Sequence, residues 1–152
     1  MAEMRGEPKL LIPALKPLYD ALIPLSWALV RCATGIVLAV HGWGKISRGP
    51  EAMVPTFVKI GYTEHPLLVV YILIFIEFFG GIAIALGLFT RFFAAAVTIE
   101  MAVILFTQYL GNGFSWLNRG YEYVLLWGLV SLAIWWRGGG PWSLDRRLGT
   151  EL

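Results

Sequence analysis

One cysteine, Cys32, stands in a chain of 152 residues. No disulfide can close within the chain and no paired-thiol relay can be built from it. Set in an apolar run, Cys32 reads as a small packing residue. Histidine is nearly as scarce, with His41 and His65 the only two. Neither sits at the H-x-x-E-H or Glu-x-x-His spacing that brings ligands to one turn, so no metal site is expected. Charge is also thin. Only 14% of residues are charged and the net charge is +2, against roughly a quarter charged in soluble domains. Without a dense basic stripe the chain is not expected to bind nucleic acid. The segment HGWGK (41–45) lacks the G-x-x-x-x-G-K-[ST] pattern of a phosphate loop. No haem or flavin motif, internal repeat or low-complexity tract is present.

Apolar residues fill the space left by these absences. They make up 58% of the chain, whose mean hydropathy is +0.70, more apolar surface than a soluble domain of this length can hide. Four runs, at about 25–46, 66–88, 91–109 and 120–137, are read as helices; at about 1.5 Å per residue they approach or exceed the roughly 30 Å of a bilayer core. The expected fold is therefore all-α, an integral membrane four-helix bundle. The short GLFTR connection, with Gly87 as C-cap and Thr90 as N-cap, makes its neighbours antiparallel in an up-down order.

Three segments flank or join these runs. Residues 1–24 form an expected N-terminal cytoplasmic or interfacial segment. Pro8, Pro13, Pro17 and Pro24 limit it to short helical pieces, with Leu10, Leu11, Leu15 and Leu18 dipping into lipid. Its acidic residues and prolines, and Arg31 beyond them, are unlike a cleaved signal. Residues 47–65 read as a connector holding a short interfacial helix from Pro55. Residues 138–152 form an expected cytoplasmic tail, in which Ser143 caps a last turn.

Seven lysines and arginines lie on the side of the termini (Arg5, Lys9, Lys16, Arg91, Arg137, Arg146 and Arg147), and four on the other (Lys45, Arg48, Lys59 and Arg119). The positive-inside rule then puts both termini in the cytoplasm.

The spans are not uniformly apolar. The first carries Arg31, His41 and Lys45, the others Glu77, Glu100 and Glu122. Charge at membrane depth is costly, so these groups are expected to face one another inside the bundle. Arg31, Gly35, Leu38, Gly42 and Lys45 share one side of the first helix, with Thr34 and His41 on its flank. Depth along the helices predicts that Arg31 pairs with Glu77, while Glu100 shares the guanidinium or stays neutral. In a second layer His41 is expected to meet Glu122, near Lys45 and Gln108. That layer has the makings of a proton-exchanging quinone headgroup site of His41, Lys45 and Glu122. The catalytic candidates are Arg31, His41, Glu77, Glu100 and Glu122. The alternative is that the same pairs only fix helix register.

Taken in order, Arg31 with Gly35, HGWGK (41–45), EFFGGIAIALGLFTR (77–91), Asn112 with Gly113, Glu122 and GGPWSLD (139–145) resemble the DoxX family of four-helix membrane proteins. The proline-rich N-terminal segment is an addition to that pattern. Proteins similar to this one include membrane subunits of thiosulfate:quinone oxidoreductases, and others linked to thiol and oxidative-stress enzymes at the bacterial membrane. The resemblance implies a redox-associated, quinone-linked membrane component, and the lack of paired cysteines, haem ligands and flavin motifs means its electrons would arrive from a protein partner. A non-catalytic scaffold or anchor for a partner complex is the alternative. A small transporter fits less well, since no helix has a proline-glycine break and no inverted repeat is visible.

Overall fold

The computed structural model describes residues 9–152, which form helices and turns with no strand among them. Arg5, Pro8 and the rest of residues 1–8, part of the expected interfacial segment, lie outside the described residues. Helix α1 spans Lys16–Arg48. It begins at Lys16 rather than near Leu25, so much of the segment expected to be broken by proline is continuous helix. Pro17 lies in the first turn, where a missing N–H costs nothing. Pro24 alone falls inside the helix.

Beyond Gly49 a 3-10 turn, Pro50–Met53, leads into α2, Val54–Lys59, with a proline in its first turn as expected. Helix α2 is more than a connector. Phe57 is buried against Val70 and Ile74 of the next helix, with Tyr62 packed beside them.

Helix α3, Pro66–Leu86, contains a π turn at Phe75–Phe79. It stops at Gly87, which has φ +72. Leu88 N–H donates to Ala83 O at 2.9 Å and Gly87 N–H to Ile84 O at 3.1 Å, the bonding that a left-handed glycine permits at a helix end. Helix α4, Thr90–Asn112, contains a second π turn at Leu105–Tyr109. Helix α5, Glu122–Arg137, has 16 residues, about 24 Å. Helix α6, Leu144–Leu148, is capped by Ser143, whose Oγ accepts from Arg146 N–H at 3.2 Å.

Among the described residues three helical stretches are long and apolar enough to cross a membrane: Pro13–Arg48, Pro66–Leu86 and Thr90–Asn112. The fourth expected span, α5, is shorter than these.

Helices α1 and α3 cross with their backbones in contact, because glycine faces glycine. A Cβ on Gly35 would strike Ala85 N and Gly81 O, and one on Gly81 would lie 2.6 Å from Ala39 N. The small residues spaced by four in α3 therefore form a true seam. Helix α4 packs along α5, and Leu38, Ile84, Ala94, Val97 and Ile134 fill the core between the helices. Many large apolar side chains, among them Leu29, Val40, Phe92, Ile99, Phe106 and Trp136, point outward instead.

Candidate functional site

The π turn in α3 carries Glu77, and the one in α4 carries Gln108. A π turn accommodates one extra residue and re-aims the side chains around it, and such turns recur at functional sites. Both residues line the same cavity, which has a volume of about 1030 Å³, large enough for a small organic ligand. Its walls come from α1 to α5. Most are apolar, as with Leu38, Leu73, Ile76 and Ile104, and aromatic rings join them at Tyr62, Trp116, Tyr123 and Trp127.

Lys45, Glu77 and Glu100 stand together in this wall. Lys45 Nζ donates to the Glu77 carboxylate in an ion pair across α1 and α3. Glu100, from α4, adjoins Glu77 and feels the Lys45 charge. Glu77 and Glu100 are each only 5% exposed. Neither Glu100 oxygen receives a donor from the rest of the protein. Its neighbouring carboxyl can hydrogen-bond to it only when one of the two holds a proton. The arrangement is electrically neutral with one such proton, so it is equipped to hold or pass one on.

Arg31 does not pair with Glu77, contrary to the expectation from depth. The guanidinium, 1% exposed, lies at the opposite end of the helices. Nη1 donates to Ile84 O and Ala85 O, both at 2.7 Å, and Nη2 donates to Trp142 O at 2.8 Å. The carbonyls in the last turn of a helix lack intrahelical donors and carry partial negative charge, so they can accept from a cation where no carboxylate is present. Lysine is left to meet Glu77, its four-carbon stem reaching across from α1. Cys32 packs beside this end of α3, its Sγ 3.2 Å from Ala85 O.

Asp145 completes the structure around Arg31. Its carboxylate accepts from Phe89 N–H at 2.7 Å, Thr90 N–H at 2.9 Å and Thr90 Oγ1–H at 2.6 Å. It thereby caps the start of α4 from the far end of the chain. Thr90, expected as the N-cap, is the first helical residue. The connection GLFTR is thus held on both sides, with Arg31 on the carbonyl end of α3 and Asp145 on the amide end of α4. The expected tail is built into the fold, since Ser143 and Asp145 are each 3% exposed.

The DoxX family model matches residues 26–110, from the start of the Arg31 region to the end of the π turn that carries Gln108. The chain belongs to the DoxX family. It is 32% identical over 127 residues to an uncharacterized protein of Haemophilus influenzae, covering 82% of this chain and 91% of that one. A Bacillus subtilis protein named "Putative oxidoreductase CatD" is 31% identical over 106 residues, 70% of this chain and 75% of that one. No solved structure matches the chain. Family membership and the long apolar helices make this a multi-pass membrane protein.

Within this DoxX chain the second expected layer is only half assembled. His41 and Lys45 line the cavity, as does Gln108. Glu122 does not, and it does not meet His41. Its Oε2 accepts from Trp116 N–H at 3.2 Å, closing the loop before α5. His41 Nδ1 lies 3.0 Å from Val37 O on its own helix. A carboxylate at the first turn of a helix has free loop amides within reach, and these compete with a distant imidazole. The aromatic wall and Asp145 were not anticipated. The tyrosines and tryptophans read equally well as interface anchors, and the amides that Asp145 serves are more than fifty residues away in sequence.

Proposed function

We propose that this DoxX protein is an antiparallel four-helix bundle of a bacterial inner membrane, with both termini cytoplasmic. In this reading its cavity receives the headgroup of a quinone, and the protein works as the membrane component of a redox assembly. The supporting observation is the Lys45–Glu77–Glu100 trio, whose two carboxyl groups are buried and which lines a mostly apolar space of about 1030 Å³. Glu100 has acceptor capacity that no protein group uses, which fits a head that exchanges protons. A quinone supplies electron transfer coupled to proton uptake and release when bound. The chain's own part is narrower. Lys45 fixes Glu77, Glu77 holds Glu100 in place, and Glu100 keeps or releases a proton at its carboxyl.

Electrons have to come from a partner, because the sequence has no paired cysteines and no haem or flavin motif. The name of the Bacillus subtilis relative agrees with such a setting. The headgroup site proposed here comprises His41, Lys45, Glu77 and Glu100, while Glu122 belongs to the loop.

The test is to extract the protein in native lipid, purify it and quantify quinone in the solvent extract by mass spectrometry. Wild type is expected to retain quinone. A Glu100→Ala variant should retain about tenfold less of the quinone couple, the effect of losing the hydrogen bond that its hydroxyl-bearing member donates to this carboxylate. Glu122→Gln should leave the content unchanged. Wild-type protein free of quinone would sink this reading in favour of an anchor for a partner complex.

A further inference from the structure

We infer that the cavity selects a neutral amphiphile whose buried head is a hydroxyl group, binding it by donation to Glu100. For a quinone couple this is the reduced, hydroxyl-bearing member. The inference rests on the proposed headgroup site and names the chemistry of its occupant.

Hydrogen-bond valence carries the argument. Glu100 is 5% exposed and both its oxygens lack a donor. A buried acceptor left in this state costs about 1–3 kcal/mol, and more when charged. If a proton lies between Glu77 and Glu100 it is used in joining them, and lone pairs on Glu100 still face no donor. With no proton, or with one held between Glu77 and Glu100, the unmet demand is for a donor from the ligand.

Lys45 adds the second half. An ammonium carries three donors; Glu77 is the partner of Lys45 Nζ, and Lys45 also lines the cavity. One hydroxyl can donate to Glu100 and accept from Lys45 at once. A carbonyl or an ether can only accept, so it leaves Glu100 as it was.

Charge narrows the choice further. An anionic head would face two carboxyl groups. A cationic head would stand beside Lys45 in a space walled by Leu38, Ile76 and Ile104, where a second buried cation is costly to desolvate. A neutral head on an apolar tail meets neither cost, and the apolar and aromatic walls take the tail.

The experiment compares 4-nonylphenol, its methyl ether and nonylamine, titrated into the wild-type protein in lipid nanodiscs. Quenching of tryptophan fluorescence gives the readout, since Trp116 and Trp127 line the cavity. The phenol is expected to bind at least about tenfold more tightly than the ether. In Glu100→Leu, which keeps the packing volume, that preference should shrink to about twofold or less through weaker phenol binding alone. Equal affinity for phenol and ether, or tighter binding of the amine, would overturn the hydroxyl inference while leaving an amphiphile site in place. Failure of all three probes to bind wild type would overturn the inference and the headgroup site together.

Discussion

Asp145→Ala is expected to destabilise the protein by about 3–5 kcal/mol, the cost of breaking a buried, hydrogen-bonded charged group. The carboxylate, 3% exposed, accepts from two backbone amides and one hydroxyl at the start of α4. Removing it strands three donors, the two on Thr90 fully buried, and Arg31 loses its nearby negative charge. Thermal unfolding in detergent, followed by circular dichroism, should show a large fall in midpoint. Asp145→Asn keeps one acceptor oxygen and should fall between alanine and wild type. Equal stability of alanine variant and wild type would show that the tail does not hold α4.

The second large effect is steric. In Gly81→Val the first added carbon would sit 2.6 Å from Ala39 N, 2.7 Å from Gly35 O and 3.0 Å from Ala39 Cα. These are backbone atoms of a packed helix, so relief requires α1 and α3 to part. The loss should reach or exceed the upper end of ordinary overpacking, about 3 kcal/mol. Gly44→Ala on α1 is the matched control, since its Cβ would meet only the tip of Arg48, at 3.7 Å. Alanine there should stabilise the helix by about 0.5–1 kcal/mol. The two variants, melted side by side, separate close helix crossing from a general intolerance of change at glycine.

What could be read from the residues followed how local each interaction is. The apolar runs, the left-handed Gly87 and the Ser143 cap depend on neighbours a few positions away, and all three are legible. The inward turning of Arg31, Glu77 and Glu100 is legible too, because lipid leaves a charged side chain few other directions. Partner choice was not. Arg31 bonds to backbone carbonyls, which every residue has and no sequence pattern marks. Once both terminal nitrogens of that arginine are bonded at the end of α3 and to Trp142 O, the acids are free to gather around Lys45 instead. The continuity of α1 through Pro24 was missed because the rule against interior proline is a cost, and a long helix can absorb one instance.

The π turns hide from the sequence for a different reason, and they divide α3 and α4 mechanically. The one extra residue at Phe75–Phe79 puts the two halves of α3 out of phase by roughly one residue's rotation, about 100°. Glu77 can therefore look into the cavity while Gly81 beds against α1. A wheel drawn straight through the helix misaligns one half or the other. Deleting one residue in that interval would act as a twist, swinging Val70 and Ile74 off Phe57 while the glycine seam stays seated. The helix is two separately keyed rods on a single shaft, and a substitution at the joint should be tolerated far better than a lost codon.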